Sequence, residues 1–326
     1  MKLLVLTILL SSLYISTFFG QLTHKIPSIP DISENSIEIK KNKKINQLIA
    51  AFNSYSFSSN ESYKKYTLSF GNDSSNFTKH KNWYSGANVT IHKSKVIEDL
   101  NKACEIQVYS ELDSYILSYQ KSALELTVLL NKTFSYYDME DYESDNFLQA
   151  KEYHAPILRA YSKFFNADNQ LRKQSDKIRI KLKMKNLTQS KKKGRSFNYL
   201  IQLAIDKSEK ILAITRITEY SQLNTQDLKE ASNILRNVLD ELTVLKNEDP
   251  KKFNQNYYTS WFYSALKDFI KSSKSLYIRK HNNKQFTTGE QMLLNPSSGW
   301  MVNGSTYQVL NRYISLIDWY NSMNNL

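Results

Sequence analysis

A chain of 326 residues with 41% apolar and 13% aromatic side chains can bury one large core or two small ones, and it is too apolar to stay disordered. Its single cysteine excludes an internal disulfide, and only 7 Gly and 5 Pro are present for turns, which disfavours folds of many hairpins or βαβ loops and favours long helices. The net charge of +13 suits polyanions such as lipid head groups or surface polysaccharide, although a bias toward Lys and Asn codons accounts for the same excess, and no specific nucleic-acid binding is expected.

Residues 1–20, MKLLVLTILLSSLYISTFFG, carry one charge, Lys2, and then an uncharged apolar run from Leu3 to Phe19. That is the pattern of a secretory signal, slightly short for a bilayer span of about 20 apolar residues. The cut site is weak: cleavage after Gly20 puts Phe18 at position −3, and cleavage after Thr17 puts Ile15 there. A lipoprotein signal would place Cys after Gly20, but Gln21 stands there. The expectation is an exported protein, periplasmic or secreted, without a lipid anchor; an uncleaved N-terminal anchor is the alternative.

Residues 21–35, with Pro27 and Pro30, read as a tether. Ile37, Ile45, Leu48, Ile49, Phe52 and Tyr55 then repeat at helical spacing. Residues 58–91, rich in Ser, Asn and Gly with scattered aromatics, read as a loop or a broken helix. From Lys93 to Phe134 apolar residues recur at three, four and seven without Pro or Gly, which predicts one helix about 60 Å long. Within it Cys104 is expected to be a buried, inert thiol. The pattern resumes over 139–176. Residues 178–185, IRIKLKMK, alternate as a strand does, but helical neighbours on both sides make helix the better assignment. The cluster Lys191–Arg195 marks an exposed turn, and helices are predicted over 197–221, 226–247, 251–280 and 305–323, with a loop at 282–304. The whole of 36–326 is taken as one all-α domain, a bundle of long antiparallel helices.

No phosphate-binding glycine loop and no G-x-S-x-G elbow is present. His24, His80, His92, His154 and His281 are scattered, and Lys151 stands where a di-iron Glu-x-x-His motif needs Glu before His154. No metal, cofactor or catalytic residue is therefore assigned. The acidic run Asp138, Glu140, Asp141, Glu143 and Asp145 lacks calcium-loop spacing and reads as acids gathered at a helix N-terminus. The N-x-S/T sequons at Asn60, Asn72, Asn76, Asn88, Asn131, Asn186 and Asn303 read as chance matches in a chain rich in Asn, Ser and Thr.

Two stretches carry a family resemblance. The segment YYDMEDYESDNFLQAKEYHAPILRAYSKFF (136–165) and the segment SSGWMVNGSTYQVLNRYISLIDWYN (297–321) resemble the YiiG-like family of bacterial lipoprotein-like proteins of unknown function. The matching positions are Tyr136, Tyr137, Tyr142, Asp145, Lys151 and His154, then Trp300, Met301, Val302, Tyr320 and Asn321. The resemblance implies a mostly helical envelope protein of Gram-negative bacteria and assigns no activity. It leaves three expectations: a non-enzymatic envelope protein that binds a partner or contributes structure, an enzyme acting on an envelope polymer, or a secreted basic protein that binds polyanions. Trp300, in a loop with Gly299 permitting a tight turn, is expected to plug one end of the bundle.

Overall fold

The computed structural model describes residues 25–29, 36–81, 93–215, 220–255, 257–295 and 298–324; the segment 1–20 and the sequon at Asn88 lie outside them. The protein is all-α, with no strand among the described residues. Contacts divide it into two compact units. The first is Ser33–Leu182, and the second joins the described part of Met1–Ile32 to that of Lys183–Leu326. The division falls inside a continuous helix, so no change of composition marks it.

In the first unit, α1 (Ser36–Ala51) passes through one π-helical turn, Phe52–Ser56, into α2 (Phe57–Phe70). The Ser- and Asn-rich start of the expected loop is thus helical as far as Phe70. Its polar residues face inward: Ser62 Oγ lies 2.6 Å from the Tyr161 hydroxyl, and Ser59 and Asn60 are fully buried. Tertiary hydroxyl pairing has outweighed poor helix propensity.

The single long helix expected over 93–134 is broken. It forms α3 (Lys93–Glu105) and α4 (Asp113–Asp138), joined through Tyr109 at φ 54°. Lys44 explains the break. Its buried ammonium sits 3.2 Å from the Ile106 carbonyl, just past the end of α3, and 2.6 Å from Asp113 in the first turn of α4. A cation at one helix C-terminus and an acid at the next N-terminus both suit the helix dipoles. Cys104 is half-buried rather than buried, and burial, with Asp113 nearby, raises its thiol pKa, so the thiol stays protonated.

A one-turn helix, α5 (Tyr142–Asp145), leads into α6 (Leu148–Lys192), which includes the strand-like IRIKLKMK as helix. The core between α1, α2, α4 and α6 is aromatic: Tyr55 meets Phe164 edge-on at 4.9 Å between centroids, and Tyr119 meets Phe164 at 5.2 Å. The π-turn aims Ser56 at a buried chain in which its hydroxyl contacts the Tyr119 hydroxyl at 2.8 Å and donates to Asp168 at 2.6 Å. Arg172 neutralises Asp168 at 2.9 Å and lies over the Phe52 ring.

The second unit packs α7 (Phe197–Thr215), α8 (Thr225–Glu248), α10 (Tyr257–His281) and α12 (Thr306–Asn324) around Leu200, Ile205, Leu235, Leu266, Phe269, Tyr313 and Ile317. Helices α10 and α12 run antiparallel, pairing Phe262 with Tyr320 and Phe269 with Tyr313. Asn224 caps α8, accepting from the amides of Gln226 and Asp227. Asp249 caps the short α9 (Pro250–Asn254) that interrupts the helix expected over 251–280. The loop expected at 282–304 holds a further helix, α11 (Thr288–Leu293), with a Thr287–Glu290 capping box. Glu290 also binds the buried Arg279 guanidinium (3.1 Å, Nη1 to Oε2), which lowers the Glu290 pKa to about 2.

Residues 25–29, within the segment read as a tether, are packed. Ile26 and Ile29 are buried, and three polar contacts pin the segment to α12. These are Lys25 Nζ to Asp318 at 2.6 Å, Ser28 N–H to Asn321 Oδ1 at 2.7 Å, and Asn321 Nδ2 to the Ile26 carbonyl at 3.2 Å.

Candidate functional site

The strongest concentration of unusual chemistry in the first unit lies where α2, the end of α4, α5 and the start of α6 meet. His154 is at its centre, 1% exposed. Its Nε2 is 3.0 Å from the Asp73 carbonyl oxygen, which can only accept, so the proton of the neutral ring sits on Nε2. Nδ1 is then an acceptor, and the Tyr66 hydroxyl donates to it at 2.8 Å. The Tyr66 ring also stacks on the imidazole at 5.7 Å between centroids, and Phe77 approaches edge-on at 5.4 Å. Burial lowers the His154 pKa, against a weaker opposite pull from Asp73, and burial raises that of Tyr66. Both groups are neutral at physiological pH.

From Tyr66 the aromatic contacts run outward without interruption. Phe70 touches Tyr66 at 5.0 Å and Tyr137 at 5.6 Å, Tyr137 touches Tyr142 at 5.6 Å, and Tyr142 stacks on Phe147 at 5.0 Å. Tyr136 packs against Tyr137 and donates to Asp145 Oδ1 at 2.7 Å. Asp145 Oδ2 accepts from the Gln149 amide in the first turn of α6, so this acid does sit at a helix N-terminus. The Tyr136 hydrogen bond is the first cause that holds the Asp145 carboxyl below its usual pKa.

The turn from α4 to α6 makes this convergence possible at a cost. Glu140, Asn146 and Phe147 have φ of 56°, 51° and 66°. Asn tolerates the left-handed region; Phe does not, and each such residue stores about 1–3 kcal/mol. The Tyr142–Phe147 stack holds the strained turn closed.

The sequence-derived residues therefore separate. Tyr136, Tyr137, Tyr142, Asp145 and His154 form one connected cluster. Lys151 is exposed on the outer face of α6 and takes no part. Trp300 belongs to the second unit and is 43% exposed, so it does not plug the bundle. The side chain that enters the core from that turn is Val302, 2% exposed. Gly299 does not serve a tight turn through its backbone angles; a Cβ there would meet the Tyr307 ring at 2.6 Å. Sequence reasoning missed Tyr66, Phe70, Phe77 and the Asp73 carbonyl, all in the segment taken as a loop. The signal was present: Tyr63, Tyr66 and Phe70 are spaced three and four apart, one helical face. Among the described residues no group of three or more His, Cys, Asp or Glu could hold a metal ion.

An all-helical protein built on a buried Tyr–His–Asp-carbonyl joint is the class that fold and site define. A family match extends over residues 40–322, and the chain belongs to DUF3829, a family described as protein of unknown function. It is similar to the uncharacterized protein YiiG of Escherichia coli K12, with 25% identity over 216 residues. That stretch is 65% of this chain and 58% of the relative, so less than two thirds of the relative's length is covered. No solved structure matches the chain.

Proposed function

We propose that this is an exported protein of the cell envelope that works by binding a partner or by contributing structure, and not by catalysis. The observation that carries this reading is the closure of the motif cluster. Both ring nitrogens of His154 are committed, to Tyr66 and to a backbone carbonyl, and the ring is buried. Asp145 is committed to Tyr136 and to α6. A general acid or base must reach a substrate proton. An enzyme acting on an envelope polymer would need His154 and Asp145 on one open pocket. A surface groove of about 390 Å³ on this unit is lined by Ser118, Arg159, Ser162, Lys163, Asn166, Ala167 and Gln170 and by neither His154 nor Asp145. With the overall charge, that groove favours an anionic surface polymer as one class of partner.

Export rests on Leu3–Phe19, and the absence of a lipid anchor on Gln21 in place of Cys. Among the described residues no helix is long and apolar enough to cross a membrane. Retention of the N-terminal apolar run as an anchor is the alternative. Fractionation of the natural host, N-terminal sequencing and palmitate labelling test the location. The expected product is extracytoplasmic and unlabelled; a cytoplasmic protein with its N-terminus intact overturns the assignment. Cross-linking in the intact envelope followed by mass spectrometry tests the role. Release of product from purified envelope polymer, abolished by His154→Asn in a folded variant, would establish an enzyme instead.

A further inference from the structure

The outer face of α6 in the first unit joins two features that the core does not use. One is the groove beside α4, to which α6 contributes Arg159, Ser162, Asn166 and Gln170. The other is a row of lysines further along the same helix, Lys173, Lys177 and Lys181. All seven side chains are exposed. They follow one another at intervals of three and four residues, so they share an arc of about 100° and extend over about 33 Å of helix.

Positive charge is concentrated here. Residues 159–181 hold seven Lys or Arg against two Asp, a net of +5 in a chain whose total is +13. A drift toward Lys codons adds lysine everywhere and does not gather it on one helix face. The acids of this stretch, and the one across the groove, are already committed. Asp168 binds Arg172 at 2.9 Å, Asp176 binds Arg179 at 2.9 Å, and Glu125 on α4 binds Lys163. Four cations are left, Arg159, Lys173, Lys177 and Lys181, which make no ion pair among the described residues. The side chains of Ser162, Asn166 and Gln170 likewise make no hydrogen bond among them.

These groups select the occupant. Unpaired cations in a row complement a chain that repeats a negative charge. Arg159 can fork onto a carboxylate, sulfate or phosphate, and the hydroxyl and amides beside it both donate and accept, as the hydroxyls of a sugar ring require. Other occupants fit less well. The rings of this stretch, Tyr161, Phe164 and Phe165, are at most 1% exposed and offer nucleobases no platform. A membrane meets no apolar stripe, since Ile180 is the only exposed large apolar side chain of residues 159–181. A second copy would set like charge against like charge.

We propose that the outer face of α6 from Arg159 to Lys181 is a track for a linear acidic polysaccharide, with one sugar unit seated in the Arg159 groove and later acid groups carried by Lys173, Lys177 and Lys181. The inference rests on the partner-binding reading above and gives that partner a place and a chemistry.

The test follows fluorescence anisotropy of labelled alginate and labelled dextran sulfate with the purified full chain, and neutral dextran as the inert control. Both acidic glycans should bind, and more weakly as salt rises. Lys173→Gln with Lys177→Gln and Lys181→Gln should weaken binding roughly tenfold and flatten the salt dependence. Lys251→Gln with Lys252→Gln and Lys274→Gln removes the same charge from exposed positions of the second unit and should change binding less than about twofold. Asn166→Ala with Gln170→Ala should weaken alginate roughly threefold and leave inorganic polyphosphate, which has the charge without the hydroxyls, unaffected. Helical circular dichroism should match wild type in every variant, because each altered side chain is exposed. The proposal is overturned if neither acidic glycan binds better than neutral dextran, or if the second-unit substitutions weaken binding as much as those on α6. It is also overturned if anionic vesicles or single-stranded DNA bind more tightly than either glycan and are released by the same α6 substitutions. Glycan binding that survives every α6 substitution strikes this site and leaves the partner-binding reading standing; glycan recovered shortened strikes that reading and this proposal with it.

Discussion

Replacing His154 is the sharpest probe of the motif cluster. His154→Ala removes the acceptor for the Tyr66 hydroxyl, which lies in a residue only 2% exposed. Taking away one partner of a buried hydrogen bond costs roughly 1–3 kcal/mol, and the lost imidazole leaves space against Tyr66 and Phe77 that adds to it. A total of roughly 3 kcal/mol corresponds to a fall in melting temperature of about 6–12 °C for a unit of this size. His154→Asn keeps an acceptor near the Nδ1 position and should recover part of the loss. Urea unfolding followed by circular dichroism gives both values. The pH dependence supplies a second test. The folded pKa of His154 lies below the ordinary value of about 6.5, so between the two the unfolded state binds more protons. The contribution is present in full above about pH 6.5 and is lost as pH falls toward the folded pKa, at up to about 1.4 kcal/mol per unit. The difference in stability between wild type and His154→Asn should therefore shrink from pH 7.5 to pH 5. A His154→Ala variant within 0.5 kcal/mol of wild type, or a difference independent of pH, would refute the neutral-ring, Tyr66-donor assignment.

Trp300→Ala should change stability by less than about 0.5 kcal/mol, as substitutions on an open surface do, whereas Val302→Ala two residues away should cost about 1–3 kcal/mol; comparing their melting curves checks which residue anchors the turn. Gly304→Ala should destabilise by roughly 1–3 kcal/mol, because φ is +73° and a Cβ would stand 2.9 Å from the Ser275 carbonyl; a neutral result in urea unfolding would contradict this. Asp113→Ala should cost about 3–5 kcal/mol by leaving the buried Lys44 ammonium without its carboxylate, and Lys44→Met with Asp113→Asn should restore most of it.

The legibility of this fold in its sequence follows from which force decides each element. Helices α4, α6, α8, α10 and α12 bury a continuous apolar stripe, and the spacing of Leu126 and Leu130, or of Val309, Tyr313 and Ile317, displays it directly. The alternating IRIKLKMK is helical because the hydrogen bonds of a long helix are local, and an isolated strand would have left its backbone unpaired. Helix α2 is obscure for the opposite reason. Ser59, Asn60 and Ser62 are all buried and contribute no apolar periodicity, and the hydroxyl partner of Ser62, Tyr161, lies 99 residues away. The break at Ile106–Leu112 is obscure too, since it depends on Lys44, a residue that any pattern rule places in solvent.

The candidate site shows the same division in smaller compass. Resemblance at 136–165 singles out Tyr136, Tyr137, Tyr142, Asp145 and His154, and the structure brings these into one cluster. What the spacing could not supply is the partner strip, Tyr66 to Phe77, and with it the chemical meaning of the histidine. On an exposed helix His154 would be a free base near neutrality. Enclosed by Tyr66, Phe77 and the Asp73 carbonyl, it is a neutral hydrogen-bonding hub with no route to solvent substrate. The strained turn at Asn146 and Phe147 is the complement of that hub. Strain of about 1–3 kcal/mol per residue persists only where surrounding contacts over-determine it, and here Tyr142 stacks on Phe147 while Lys79 donates to Asn146 Oδ1 at 3.0 Å and lies over the Phe147 ring. The motif thus specifies a closed joint between α2 and the α4–α6 corner, with both ring nitrogens of His154 engaged inside it.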